Sequence, residues 1–242
     1  MKNFAFIIIV STLSTTVFAD QPKVYPANSV VANRTLADWS AAWRQWADSM
    51  PVDNHPLFDT ASSCSEGNSG PVWFLGGKFC AFPTPPGQVC DNSHAVRACN
   101  VPSGVSLYFP IVNTACLDGE AAAVPNQCMG AGPYINQIRT AVADMIDQTE
   151  NLEVSVDGKL IEGNLKNKFR VQSTVYTSLL PDNNLYQALG ETNITKGQYN
   201  GVDDGIYVML KPLSKGHHTL NFKGRFTQFD FNLDVTYNLF VQ

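Results

Sequence analysis

The chain has 242 residues, of which 44% are hydrophobic and 15% are charged, and its formal net charge is −5. Charged residues average about 25% in soluble domains, so this chain is poor in charge but has ample apolar content for a packed core. The composition excludes a disordered chain, a collagen and a long coiled coil. The negative charge and the lack of a basic patch argue against binding of nucleic acid.

The first 19 residues have the pattern of a secretory signal peptide. Lys2 supplies the positive charge, residues 4–10 form the apolar region, and Ala19 precedes the expected cleavage site. This apolar run is far shorter than the roughly 20 residues that a transmembrane helix needs. We therefore predict a mature chain without a transmembrane anchor, secreted to the periplasm or to the outside of the cell.

The predicted mature chain, residues 20–242, combines two unlike parts. Residues 20–150 contain all six cysteines and twelve acidic against six basic residues, whereas residues 151–242 contain nine of each charge. A single β-rich domain of this length is within the usual range. We therefore predict one domain, in which a helix and a cysteine-rich region precede a run of antiparallel strands.

The even number of cysteines in an exported chain predicts three disulfides. Fifteen pairings are possible, and the sequence alone does not select one of them. Short loops that do not cross favour Cys64–Cys99 around Cys80–Cys90, followed by Cys116–Cys128. A zinc site is disfavoured because no CxxC or CxH spacing is present.

Two segments have the periodicity of an amphipathic helix. The first begins at a capping box formed by Thr35 and Asp38, ends before Pro51 and carries three tryptophans on one face. These are Trp39, Trp43 and Trp46. A tryptophan stripe can bind sugars or a membrane interface, but we predict core packing because tryptophan buries a large area. The second helix is predicted over residues 133–151.

From residue 152 onward the hydrophobic pattern has the two-residue period of β-strands. Asp157-Gly158 lies between two alternating runs and predicts a hairpin. A further strand is predicted over residues 169–176. The clearest alternation covers residues 229–241, which predicts a half-buried antiparallel strand.

Other residues predict interruptions of the strands. Pro110 lies within the apolar run of residues 105–112, which predicts an edge strand or a break. Asp203, Asp204 and Gly205 are typical turn residues, so we predict a turn before a strand at residues 206–210. Together the pattern predicts a mainly β fold: an antiparallel β-sandwich, jelly-roll or immunoglobulin-like, with two helices and a disulfide-rich loop region.

No motif for catalysis, metal binding or cofactor binding is present. The chain lacks HExxH, GxSxG and SxxK motifs and any glycine-rich phosphate loop, and its four histidines have no metal-binding spacing. Asp157, Asp203 and Asp204 are explained by turns rather than by calcium binding. We therefore expect no cofactor and no metal.

A Ser–His–Asp triad can still assemble in space, because triads are defined by geometry rather than by spacing. The pairs to inspect first are His55 with Asp53 or Asp59, and His218 with Asp203 or Asp204. His217 and His218 are adjacent on a predicted strand and must face opposite sides of the sheet. The apolar parity around them predicts that His218 points inward and that His217 is exposed.

Several sequence blocks together resemble a family of exported microbial proteins of unassigned function. In chain order they are DWSAAWRQWADSMP, NHPLFD followed by Cys64, GPVWFLGG, YFPIVNTAC, VSVDGKLI, DDGIYVMLKPLSKGHHTLNFKG and LDVTY. The resemblance covers roughly residues 35–240 and implies an exported, β-rich protein. It carries no activity, cofactor or catalytic residue. The insert with Cys80 and Cys90 departs from the simpler family pattern, which leaves the pairing of the outer cysteines open.

Predicted export, disulfides and the missing catalytic motif favour a non-catalytic binding protein at the cell surface or outside the cell. The ligand class, glycan or protein, stays open. Candidate binding residues are those near turns that packing explains poorly: His55, Asp59, Trp73, Tyr108 and Asn113.

Two alternatives remain open at this point. A secreted hydrolase of glycan, ester or peptide bonds would have its site near His55 and Asp59. A self-assembling surface protein, a homo-oligomer, would use the strand at residues 229–241 as a donor or paired edge strand.

Overall fold

The computed structural model describes residues 21–58, 64–78, 93–118, 134–188, 191 and 193–242. The predicted signal peptide lies outside these residues. In chain order the elements are β1 (Val30–Val31), β2 (Arg34–Thr35), α1 (Leu36–Asp48), β3 (Val72–Phe74), β4 (Ala95–Val101), β5 (Ser106–Leu117), α2 (Ile135–Asp147), β6 (Thr149–Val156), β7 (Lys159–Leu160), α3 (Leu165–Phe169), β8 (Arg170–Gln172), β9 (Tyr176–Leu180), α4 (Leu185–Ala188), β10 (Gly197–Leu210), β11 (Gly216–Phe226) and β12 (Phe231–Val241). No helix in this part of the chain is both long and apolar enough to span a membrane.

Two five-stranded sheets form a sandwich, which confirms the predicted fold class. The first sheet has the order β3-β5-β10-β8, with β9 also paired to β10, and the second has the order β4-β12-β11-β6-β7. Most neighbours are antiparallel, but β3–β5 and β4–β12 are parallel. Between the sheets Phe109 stacks on Phe222 with ring centroids 4.8 Å apart, within one continuous apolar core.

Helix α1 covers the other face of the first sheet. Its three tryptophans are buried and pack with Phe74, Tyr108 and Tyr207, which confirms the prediction of core packing. The predicted capping box is also present, because Thr35 and Asp38 exchange hydrogen bonds at the helix start. The sequence alone therefore located both the start and the buried face of this helix.

Helix α2 packs on β5 and β10 through Ile138 and Val142, which lie against Cys116 and Val202. The helix starts at Ile135 and ends at Asp147, within the predicted range. Because successive side chains of a strand alternate in direction, Val202 and Asp204 face α2 whereas Asp203 between them faces α1.

The Cys64–Cys99 disulfide is present as predicted, with the two Cα atoms 5.6 Å apart. It ties the segment before β3 to β4, one of the two outer strands of the second sheet. Cys116 is also disulfide-bonded, but its partner lies outside the described residues. The predicted Cys80–Cys90 and Cys116–Cys128 bonds fall on that part of the chain.

The prediction that Pro110 marks an edge or a break was wrong. Strand β5 continues through Pro110 and lies between β3 and β10. Strand β3 pairs only with Ser106–Tyr108 and has already ended there, and the register with β10 shifts at the same point. A bulge is one of the few places in a sheet where proline, which cannot donate to the ladder, is tolerated.

The predicted turn at Asp203, Asp204 and Gly205 was also wrong. All three residues lie inside β10, and both aspartates are buried. Gly205 is needed there for close packing, since a Cβ atom would lie 2.7 Å from the Asn113 Cβ and from the Tyr207 ring. Glycine marks close approach of neighbouring groups in a strand as well as turns, so the pattern was ambiguous.

The single strand predicted over residues 169–176 is replaced by a helix end and two strands. Phe169 ends the short helix α3, and β8 and β9 then pair with successive stretches of β10.

Two other predictions for the strands are confirmed. Asp157 and Gly158 form the predicted hairpin turn, with positive φ at both residues. The long alternating strand is also present, but it begins at Phe231 because Thr227–Phe229 form a 3₁₀ turn.

Strand β12 is an interior strand, with β4 on one side and β11 on the other. Both of its edges are therefore hydrogen-bonded within the chain. The prediction that this strand supplies a donor or a paired edge between subunits does not agree with the fold.

Candidate functional site

The four predicted binding residues that the structure describes do not form one exposed surface. His55, Trp73 and Tyr108 are buried, Asn113 is half-buried, and Asp59 lies outside the described residues. Trp73 belongs to the core between the sheets. Tyr108 donates to the Leu36 carbonyl over 3.1 Å and stacks on Tyr207. Contact with a ligand would require movement of these buried groups.

His55 has a structural role at the end of α1. Its Nε2 donates to the Ala47 carbonyl over 2.7 Å, and its Nδ1 accepts from the Leu57 amide. Burial lowers the pKa of His55 to about 4, so the ring is neutral at physiological pH. Asp53 bonds to Asn183 instead. The suggested pairing of His55 with Asp53 is therefore wrong.

Asp203 is the centre of a buried polar network beneath α1, which the sequence did not reveal. Its carboxylate accepts hydrogen bonds from Ser40 Oγ at 3.0 Å, Asn113 Nδ2 at 2.7 Å and the Tyr207 hydroxyl at 2.8 Å. Burial raises the pKa of Asp203 to about 7, against the opposing effects of Arg44 and these donors. A shifted pKa of this kind often marks a functional site, but structural networks produce it as well.

Arg44 and Asp48 extend this network along the same face of α1 as Ser40. Arg44 donates to Asp48 over 2.7 Å and to the Tyr186 hydroxyl over 2.8 Å. Ser178 also donates to Asp48. Burial raises the pKa of Asp48 although Arg44 opposes it. In the described part of the chain the Arg44 Nε and the Tyr176 hydroxyl have no partner, while the other polar groups named here are bonded to one another.

Asp204 has a separate set of partners on the opposite face of β10. Arg170 donates to both of its oxygens, over 3.2 and 3.1 Å, and Gln172 donates over 3.1 Å. Arg170 also pairs with Asp147 at the end of α2. Neither aspartate therefore has a role in a turn. Asp203 is held by side chains on the α1 side of the first sheet, and Asp204 by side chains on the α2 side.

His218 lies in a Ser–His–Asp arrangement that the sequence analysis did not predict. Its Nδ1 is 2.7 Å from Asp157 Oδ2, and its Nε2 is 3.2 Å from Ser214 Oγ. The suggested pairing of His218 with Asp203 or Asp204 is therefore wrong. As predicted, His217 is exposed and His218 is more buried.

The hydrogen bonds around His218 indicate a charged brace rather than an activated nucleophile. Nε2 also lies 2.9 Å from the Ser214 carbonyl oxygen, so each ring nitrogen faces an acceptor, which favours the doubly protonated ring. Partial burial lowers the pKa of His218, but the bonds to Asp157 and to the Ser214 carbonyl outweigh it and the pKa is raised. An imidazolium cannot accept the Ser214 proton. Among the residues that the structure describes, no three acidic, histidine or cysteine side chains are grouped to hold a metal ion.

The outer face of the second sheet carries side chains that are accessible to solvent. At one end its charged residues are paired with one another: Lys223 with Glu153, and Arg225 with Glu150 and Asp230. In the next row Asn221 donates to Asp234 and Thr236. This end of the face satisfies its own polar groups.

The other end of the same face carries five residues that we call the amide–aromatic patch: Asn100, His217, Thr219, Asn238 and Phe240. Asn100, Phe240 and His217 are aligned across β4, β12 and β11, and Asn238 and Thr219 form the adjacent row. The Phe240 and His217 rings lie 4.8 Å apart, and Phe240 is 38% exposed.

The amide and hydroxyl groups of the patch have no partner among the described residues. In the part of the chain that the structure describes, the side chains of Asn100, Asn238 and Thr219 make no hydrogen bond. The sequence held one signal for the patch, because Phe240 is an aromatic residue at a polar, outward position of β12. The alternation of residues 229–241 identified the strand but did not direct attention to that exception.

A scan against protein-family models found no match to the chain, and neither did searches of curated proteins and of solved structures.

Proposed function

We propose that the protein is exported and binds a ligand outside the cytoplasm through the amide–aromatic patch, without catalysing a reaction. The observation that carries this proposal is the group of exposed amide and hydroxyl groups, unpaired within the described residues, beside an exposed aromatic pair. Exposed aromatic residues with polar groups of fixed position are typical of binding surfaces.

The rigidity of the surrounding strands supports the proposal. Asn100 follows Cys99, whose disulfide anchors β4 to the segment before β3. The chain end is also fixed to the end of β4, because Gln242 donates to Val101 and accepts from Ser103. A binding surface that is already ordered loses less entropy when the ligand binds. The disulfide itself fits an oxidising compartment outside the cytoplasm.

A hydrolase is the second candidate, and the Ser214–His218–Asp157 arrangement is the observation that favours it. The raised pKa of His218 and its bond to the Ser214 carbonyl argue against this function. Covalent labelling of Ser214 by a fluorophosphonate would support the hydrolase instead of the binding protein.

The proposal predicts saturable binding of purified, oxidised protein to intact microbial cells or their extracellular material. Phe240→Ala should weaken this binding by about tenfold, the effect of removing one aromatic hot spot. Tyr134→Ala is the matched control, because Tyr134 is 72% exposed but lies at the start of α2, outside the patch. Equal binding by both variants, or no saturable binding at all, would contradict the proposal.

A further inference from the structure

We infer that the ligand of the amide–aromatic patch is an uncharged glycan. This inference rests on the proposed function and adds the chemical class of the ligand. Three properties of the patch carry it: its lack of charge, the kind of hydrogen-bonding groups that it offers, and the position of its aromatic pair.

The patch has no carboxylate, lysine or arginine. On the same sheet Lys223 and Arg225 lie on other rows and are engaged with acidic partners. Asp157, which follows β6, is held by His218 and by the Thr219 amide. A phosphate, sulfate or carboxylate group of a ligand would find no lysine or arginine among these five residues. Charge complementarity therefore favours a neutral ligand.

The free polar groups match the chemistry of sugar hydroxyls. Each asparagine amide offers two donors and an acceptor, and the Thr219 hydroxyl both donates and accepts. Sugar hydroxyls likewise donate and accept at adjacent positions. A peptide strand would need an exposed sheet edge for its backbone. Asn238 and Phe240 lie on β12, where both edges are paired, and Thr219 and His217 lie on the interior strand β11, so only Asn100 lies on an edge strand.

The aromatic pair lies close enough to the amides for one ligand to contact both. Neighbouring strands are about 4.8 Å apart, and alternate residues of one strand are about 7 Å apart. Phe240 therefore has Asn100 on one neighbouring strand, His217 on the other, and Asn238 one row away. The apolar C–H face of a sugar ring can pack on Phe240 while its hydroxyls reach the amides. Aromatic rings provide such flat apolar area at low entropic cost.

The row beside the aromatic pair leaves room for this packing. Ala98 lies next to Asn238 on β4, and its short side chain does not cover the Asn238 amide. The patch is therefore open across three strands, as an extended polymer would require, instead of closed around one small molecule.

The test uses the whole oxidised protein in native gels that contain a soluble polysaccharide. The neutral probes are xylan, galactomannan and mixed-linkage β-glucan; the charged probes are heparin and alginate. We expect retardation by at least one neutral probe and by neither charged probe. Phe240→Ala should weaken it by about tenfold, and Asn238→Ala by a smaller factor, whereas Tyr134→Ala should bind like the wild type.

Thr219→Glu is a second variant that keeps the test valid if the loss of Phe240 disturbs the sheet. Thr219 is exposed, so the change adds bulk and charge to the patch without removing a packed group, and it should also abolish retardation. Thermal unfolding of each variant checks that the fold is intact.

The outcomes separate the ligand class from the proposed function. Binding to cells that depends on Phe240 but survives periodate oxidation of glycans and is lost after protease treatment would overturn the glycan and keep the binding protein. Preference for the charged probes would also overturn it. No Phe240-dependent binding to any cell or polymer would overturn both.

Discussion

The network beneath α1 and the amide–aromatic patch are both polar, yet their side chains are used in opposite ways. In the network, Asp203 and Asp48 are buried and accept hydrogen bonds from side chains of neighbouring elements. In the patch, Asn100 and Asn238 are exposed and make no side-chain hydrogen bond within the described residues.

This difference separates a structural role from a binding role. A buried polar group is costly unless the protein itself supplies its partners, and once it has them it has little capacity left for a ligand. An amide without protein partners on a rigid strand keeps its full capacity to hydrogen-bond to a ligand. The network should therefore contribute to stability, whereas the patch should not.

Arg44 should give the largest effect on stability. Arg44→Met removes the guanidinium but retains most of the side-chain volume, and it leaves Asp48 buried without its ion pair. Loss of one partner of a buried pair costs about 3–5 kcal/mol. The measurement is the free energy of unfolding from urea denaturation.

Lys196→Met is the matched control for Arg44→Met. Lys196 pairs with Asp182 on the surface, where ion pairs contribute little. Similar losses in both variants would show that the interior position of Arg44 is unimportant.

Asp203 should determine how stability depends on pH. Its folded-state pKa is about 7, against 3.8 for the ordinary group, so between these values the folded protein holds a proton that the unfolded chain has lost. This proton makes the free energy of unfolding fall as pH rises, by about 1.4 kcal/mol per pH unit. His55 acts in the opposite sense, because its folded pKa is about 4, against 6.5 for the ordinary group.

The two groups therefore oppose each other between about pH 4 and pH 6.5. Asp203→Asn removes one of them and leaves His55. Relative to the wild type, the variant should gain stability as pH rises from about 4 to 7. The measurement is urea denaturation at a series of pH values. Parallel curves for the two proteins would show that Asp203 does not hold its proton in this range.

Two asparagines, one in the network and one in the patch, give the smallest expected effects on stability and the most direct comparison of the two regions. Asn113→Ala removes a donor from buried Asp203 and should cost about 1–3 kcal/mol. Asn238→Ala removes no side-chain hydrogen bond to the described residues and should change the free energy of unfolding by less than about 0.5 kcal/mol. Urea denaturation of both variants at one pH is sufficient. A large loss for Asn238→Ala would assign the patch to the structure and not to a ligand.

The sequence predicted those parts of the fold that depend on local chemistry. The capping box of Thr35, the hairpin at Asp157 and the alternation of β12 each involve residues that are close in the chain. The Cys64–Cys99 pair was also predicted from short sequence distance. These features require no knowledge of which strands become neighbours.

The sequence did not predict features that depend on distant contacts. Asp203 looks like a turn residue until Ser40, Asn113 and Tyr207 are placed around it. The brace of His218 joins two segments about 60 residues apart in sequence. The amide–aromatic patch requires the order of β4, β12 and β11, because its residues come from three strands. The selected candidates His55, Trp73 and Tyr108 are instead buried by such contacts.

The position of β12 has a consequence for folding. This strand lies inside the second sheet, yet it follows all of its sheet partners in the chain. Until β12 takes its place, β4 has no neighbour on the side where β12 will lie. The sandwich therefore closes only when the last strand is available, and a chain cut short before β12 would expose the apolar face that otherwise becomes the core.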